Sequence, residues 1–205
     1  MDASLPLEIE RKYLIAYPDV RWLSAQPGIR RAELSQTYLL SNDGSSRRVR
    51  KWEEGGKTVY IRGSKQALTD MTRVEIEDEI PEESYLALLA EADPERRPIE
   101  KTRWLLPYAG HTLEIDLYPF WADRATLECE LKSEEESFDV PSELKVIMDV
   151  TGDRRYLNSA LAREIPYDPL PEDLYPADQS PELSQTPEES RGDPSLESKN
   201  QEDST

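Results

Sequence analysis

Along most of the first 166 residues, apolar and polar side chains alternate at every second position, the repeat that sets successive residues on opposite faces of a β-strand. In EIERKYLI, Glu8, Glu10 and Lys12 share one face, while Ile9, Tyr13 and Ile15 mostly occupy the other. Seven further segments read as strands: ELSQTYLLS, SSRRVRKWEE, KTVYIRGSK, MTRVEIEDEI, IEKTRWLLPY, HTLEIDLYP and ATLECELK. Short NDG and EGG pieces between them carry hairpin chemistry. The period lengthens in PEESYLALLAEAD, where a proline and two glutamates suit a first helical turn and Tyr85, Leu88 and Leu89 form an apolar stripe. A second helix is predicted through DRRYLNSALAR, with Asp153 as its N-cap. About eight antiparallel strands with little helix define a mainly antiparallel α+β fold, built as a closed barrel or a sandwich.

The same device recurs on six strands. Arg48 and Arg50 share a face, as do Arg73, Glu75 and Glu77, then Lys101 and Arg103, Glu114 and Asp116, and Glu128 and Glu130. Many of the alternate positions are apolar: Val49, Val74, Ile76, Ile115, Leu117, Leu127 and Leu131. One such strand is the wet side of a sheet. Six of them bring in a second reading, in which the charged faces point inward around a water-filled tunnel and the apolar faces pack outward under helices. Paired carboxylates offer hard oxygen ligands for Mg²⁺ or Mn²⁺, and R-x-R and K-x-R pairs suit an oligophosphate. Phosphoryl transfer uses both.

These residues resemble a known family. EIERK, Glu8 to Lys12, is similar to the E-x-E-x-K signature of the triphosphate tunnel metalloenzymes, also called CYTH proteins, and the resemblance runs through most of residues 8 to 166. Arg48 and Arg50 resemble its second-hairpin R-x-R, and Lys65 stands where its phosphate-binding lysine is expected, ahead of the R-x-E-x-E at Arg73, Glu75 and Glu77. EKTRW resembles the family's E-K-x-R strand, EIDLY its E-x-D strand and ECE its late E-x-E pair. DVTGDRRYLNSALA resembles its V-T-x-D-x-R-Y-x-N helix entry. Two positions depart from the pattern: Ser46 replaces a glutamate frequent two residues before the R-x-R, and Arg154 replaces a lysine, which bears on substrate orientation.

The resemblance implies an eight-stranded closed β-barrel tunnel with a few packing helices that binds a triphosphate with Mg²⁺ or Mn²⁺ and hydrolyses it. Lys12, Arg48, Arg50, Lys65, Arg73, Lys101, Arg103 and Arg154 are the implied substrate-binding residues. Glu8, Glu10, Glu128 and Glu130 are implied metal ligands, joined in one acidic cluster by Asp116, Glu75 and Glu77. Glu8 and Glu10, with Lys12, are the implied catalytic group, the two glutamates placing a metal that activates the attacking water.

Composition adds the rest. Residues 167–205 hold 11 acidic and 2 basic residues with 6 prolines, about half of the formal charge of −18, and such a segment buries too little apolar surface to fold. Two parts follow: a tunnel domain over 1–166 and an acidic, Pro/Ser-rich disordered tail over 167–205. The acidic charge argues against nucleic acid as a partner. No segment approaches a membrane span and the N-terminus lacks a signal peptide's regions, so no membrane association is expected. The single cysteine, Cys129, suits the cytoplasm and is expected to face outward into packing. His111 is expected in a turn, without a catalytic role, and Trp22, Trp52, Trp104 and Trp121 in core or rim packing. The leading expectation is a metal-dependent triphosphatase acting on inorganic triphosphate, as a monomer or homodimer. The alternatives are an adenylate cyclase, or a thiamine or nucleoside triphosphatase, on the same fold, and a non-catalytic polyphosphate sensor.

Overall fold

The structure is a computed structural model describing residues 7–41, 46–171 and 174. All eight expected strands form: β1 (Leu7–Ala16), β2 (Arg30–Tyr38), β3 (Ser46–Glu54), β4 (Lys57–Ala67), β5 (Thr72–Ile80), β6 (Ile99–Tyr108), β7 (His111–Leu117) and β8 (Arg124–Glu130). Their order around the sheet is β5, β4, β3, β2, β6, β7, β8, β1, with an additional pairing of β5 to β1. β1 makes that closure by changing partner along its length. Leu7 to Ile9 pair with β5, while Glu10 to Ala16 pair with β8. Every ladder is antiparallel, and the β5 to β1 pairing closes the sheet into a barrel.

Register settles which face is inside, because residues directly opposite each other share a face. Glu8 stands opposite Arg73, Glu10 opposite Glu130 and Lys12 opposite Glu128. The series continues through Glu128 and Glu114, Arg103 and Asp116, Gln36 and Arg50, Arg48 and Gly63, Gly63 and Glu77, and Lys65 and Glu75. The charged positions therefore lie on one continuous surface. A Cβ at Gly63 would come within 3.2 Å of Glu77 Oε1 and 3.5 Å of Arg48 Nε, so glycine lets those two side chains meet across β4.

The alternate positions build the outer core. Ile15, Leu113, Ile115, Leu127 and Cys129 pack with Leu23, Leu131 and Leu144 on the opposite face, and the first five are fully buried. Cys129 is thus in packing, as its alternation with Glu128 and Glu130 requires. A second cluster lies on the inward parity, where Leu14, Tyr38, Ile99 and Tyr118 join Trp121, Val150, Tyr156, Leu161 and Ala162. In a third, Tyr85 packs on Leu39 and Val49.

Hairpin and helix chemistry accounts for the connections. Gly55 and Gly56, the EGG turn, both have positive φ (57° and 78°), as the tight turn between β3 and β4 demands. The NDG turn lies outside the described residues. The helix after Pro81 forms as α2 (Glu82–Leu88) followed by a 3-10 turn (Leu89–Glu91). Three features were not legible: α1 (Val20–Ser24), capped by Asp19; a ninth strand β9 (Val146–Asp149) beside Tyr13 to Ile15; and a break at Leu157. The expected 153–163 helix is instead a 3-10 turn (Arg154–Tyr156), capped by Asp153 as predicted, followed by the short α3 (Asn158–Leu161), because Leu157 is extended. His111 begins β7 immediately after the Ala109–Gly110 turn. Residues 167–171, assigned by composition to the tail, pack on the domain, with Leu170 only 5% exposed; residues 175–205 lie outside the described residues.

Candidate active site

The inward face encloses a cavity of about 570 Å³. β1 contributes Glu8, Glu10 and Lys12, β3 Arg48 and Arg50, and β4 Lys65. β5 adds Arg73, Glu75 and Glu77, β6 Arg103, and β8 Glu128 and Glu130. Arg154 enters from the C-terminal turn. Of the fifteen residues singled out from sequence, Lys101 and Asp116 are not among the lining side chains; they form an ion pair of 1% and 0% exposure.

Six of the lining carboxylates are engaged by cations. Lys12 Nζ lies 2.7 Å from Glu128, and Lys65 bridges Glu8 at 2.5 Å and Glu75 at 2.8 Å. Arg73 binds Glu10, and Arg48 binds both Glu75 and Glu77. Arg103 holds Asp116 through two nitrogens at 2.7 Å, reaches Glu128 at 3.0 Å and also binds Glu114. Arg50 is the exception among the strand cations. Its nearest carboxylate, Glu77, is 3.5 Å away, and otherwise it shares the Gln36 Oε1 acceptor at 3.3 Å.

Electrostatics separate these groups. Burial pushes Glu8 up to about 8, helped by Glu10 and Glu75 against the pull of Lys65. Glu75 is buried too, but Lys65 and Arg48 outweigh burial and bring it down to about 2. Glu8 is raised despite its ion pair with Lys65 because burial outweighs that attraction, with the neighbouring Glu10 and Glu75 carboxyls adding to it. Burial followed by the repulsion of Arg48 and Arg103 holds Arg50 below the usual guanidinium range, despite Glu77. For Lys101, burial and Arg103 outweigh Asp116 and lower it to about 8.

Several lining residues escaped the sequence reading. Glu114 sits on the same face as Asp116 and was visible in that alternation, yet only Asp116 was assigned. Gln36, Tyr38 and Trp52 also line the cavity, and so do Asn158 and Ser159. Gln36 and Tyr38 occupy inward positions of β2 but carry no charge, so a search for charged pairs passes over them. Trp52 reaches the wall with its indole N–H held by Glu54 at 3.0 Å.

A closed antiparallel barrel lined by interleaved carboxylates and guanidiniums defines a class of protein that handles a polyanion together with cations. No protein-family model matches the chain. The inorganic triphosphatase of Acetivibrio thermocellus is 32% identical over 163 residues, covering 78% of this chain and 95% of the relative. The crystal structure of an inorganic triphosphatase matches with a TM-score of 0.51 at 30% identity, covering 78% of this chain and 97% of that one. The chain belongs to the triphosphate tunnel metalloenzyme, or CYTH, family.

The family implies a divalent metal, and the donor set fits one. All its donors are hard carboxylate oxygens, as Mg²⁺ and Mn²⁺ prefer. Glu8 lies within one acidic group with Glu10 and Glu75, whose charges add to burial in raising it. Among the described residues no three such groups converge at ligand spacing, because lysines and arginines hold them apart. Binding therefore requires these ion pairs to open.

Proposed function

We propose that this protein hydrolyses inorganic triphosphate with a divalent cation inside its barrel. The observation that carries the reading is charge balance in the cavity. Seven cationic side chains (Lys12, Arg48, Arg50, Lys65, Arg73, Arg103 and Arg154) face seven carboxylates (Glu8, Glu10, Glu75, Glu77, Glu114, Glu128 and Glu130). A bare triphosphate reaches most of these cations only by displacing carboxylates, which then need a counter-charge of their own. A metal–triphosphate complex satisfies both sides, the phosphate oxygens taking the arginines and lysines while the metal takes the carboxylates.

Glu8, Glu10, Glu128 and Glu130 hold the cation in this reading, with Glu75 and Glu77 at the margin of the cluster. When bound, the cation supplies charge neutralisation and Lewis acidity at the phosphate oxygens. Arg48, Arg50, Lys65, Lys12, Arg73, Arg103 and Arg154 fix the substrate and offset charge developing on the transferred phosphoryl group. Lys101 and Asp116 act beneath this layer, Asp116 orienting Arg103 by its two-point contact. Mg²⁺ or Mn²⁺ is the expected metal. Among the described residues no helix is long and apolar enough to cross a membrane, and the buried free thiol of Cys129 suits the cytoplasm.

Phosphate release measured in parallel on inorganic triphosphate, ATP and thiamine triphosphate tests the reading. The inorganic substrate is expected to be turned over most efficiently. A kcat/KM higher for ATP would move the assignment to a nucleotide, and tight binding of all three without release would make the protein a sensor.

A further inference from the structure

Composition marks residue 167 as the start of a solvated tail, but the first residues of that segment are tied to the turn that enters the cavity. The Asp168 carboxylate accepts a hydrogen bond from the Tyr156 hydroxyl at 2.6 Å and from Arg155 Nη1 at 3.1 Å and 3.2 Å. Its backbone carbonyl accepts from Arg124 Nη1 at 2.5 Å. Leu170 is buried two residues later. The Arg155 contact is solvent-exposed and contributes little alone. The Tyr156 contact carries more, because the tyrosine is 0% exposed and its ring belongs to the cluster around Trp121 and Leu161.

The turn so held is Arg154–Tyr156, and its neighbours face the other way. Arg155 is committed outward, to Asp153 at 2.8 Å and to Asp168. Arg154 and Asn158 line the cavity, and Asn158 accepts from Tyr118 OH at 2.7 Å. In a one-turn helix with so few internal hydrogen bonds, the direction of Arg154 is set by what grips the adjacent residues.

We propose that Asp168 is a positioning residue for the reaction: by gripping Tyr156 and Arg155 from outside, it fixes the turn that presents Arg154 to the phosphate in the cavity. This rests on Arg154 contacting substrate, as the proposed function has it. Asp168 itself touches no substrate.

A double-mutant cycle in the full-length protein tests the coupling, with tripolyphosphate as the probe for both hydrolysis and calorimetric binding. Arg154→Ala is expected to raise KM about tenfold, the scale of one lost charged contact. Asp168→Asn keeps an oxygen for the Tyr156 hydroxyl, so it folds, and it is expected to raise KM severalfold with kcat within about twofold. The double variant should be no worse than Arg154→Ala alone, and Asp168→Glu should recover part of the loss. Tyr156→Phe, which keeps the ring in the core and removes the hydroxyl, is expected to reproduce Asp168→Asn. Effects that multiply in the double variant, or a lower melting temperature with KM unchanged, would overturn the positioning role. A wild-type protein that neither binds nor hydrolyses tripolyphosphate would sink the proposed function itself, and this inference with it.

Discussion

Arg50 offers the sharpest separation of binding from folding in this cavity. It is the strand cation with the weakest pairing: Glu77 is 3.5 Å away and Gln36 provides a neutral acceptor at 3.3 Å. Burial and the neighbouring Arg48 depress its pKa, so the folded protein holds an incompletely compensated charge. Arg50→Gln removes that charge at little structural cost, and stability should change by less than about 1 kcal/mol in either direction. A charge-assisted contact to a phosphate oxygen is worth about 1.5–3 kcal/mol, so kcat/KM should fall by roughly 10- to 150-fold. Arg103→Gln is the control. It strips Asp116 of a two-point partner and Glu128 of a contact at 3.0 Å, and leaving such charges buried costs about 3–5 kcal/mol. Thermal melts with initial-rate phosphate release on both variants give the comparison. The reasoning fails if Arg50→Gln destabilises as much as Arg103→Gln, or if its kcat/KM stays within about twofold of wild type.

Five other outcomes follow from the same geometry. Chelation should abolish turnover, and Ca²⁺, larger and looser in its coordination, should inhibit; full activity in excess EDTA would remove the metal from the reaction. Because Glu8 is raised from 4.5 to about 8, the metal-free protein should lose stability as pH rises through that window, the unfolded chain binding fewer protons there. With Glu8 as a metal ligand, as proposed, Mg²⁺ binding displaces its proton, so the Kd should weaken by up to tenfold per unit as pH falls below about 8, and calorimetry in buffers of different ionisation enthalpy should detect proton release. Glu10→Gln should fold while turnover collapses, whereas Leu127→Ala, at a fully buried position of the outer core, should cost about 2–5 kcal/mol and keep turnover per folded molecule; the reverse pattern would put the faces the wrong way round. Ending the chain after Leu174 should leave the melting temperature unchanged, while ending it after Pro166 removes buried Leu170 and should lower it; equal melts would detach that segment from the fold.

How much of this was legible in the sequence depends on the range of the forces involved. The eight strands could be read because period-two alternation is a local signal repeated in every segment, and the inward face because charge recurred at the same parity. β9 escaped because Val146–Asp149 is four residues long and has no alternation of its own; it exists because β1, paired with β5 only as far as Ile9, leaves an edge free beside Tyr13. The break at Leu157 escaped because nothing in DRRYLNSALAR disfavours helix, and the tertiary cluster around Tyr156 and Leu161 decides it. Sequence named most of the charged residues that line the cavity, Glu114 excepted, but not their pairing. Glu8 meets Lys65 across 57 residues and Lys12 meets Glu128 from β1 to β8, so the partners follow from barrel closure and register. The misplaced tail boundary has the same origin. Composition averages over a window, and a proline-rich acidic segment reads as solvated throughout, whereas Asp168 is fixed by single contacts from Tyr156 and Arg124 that no average can see. Where a residue's role is set by one distant partner, only the folded chain shows it.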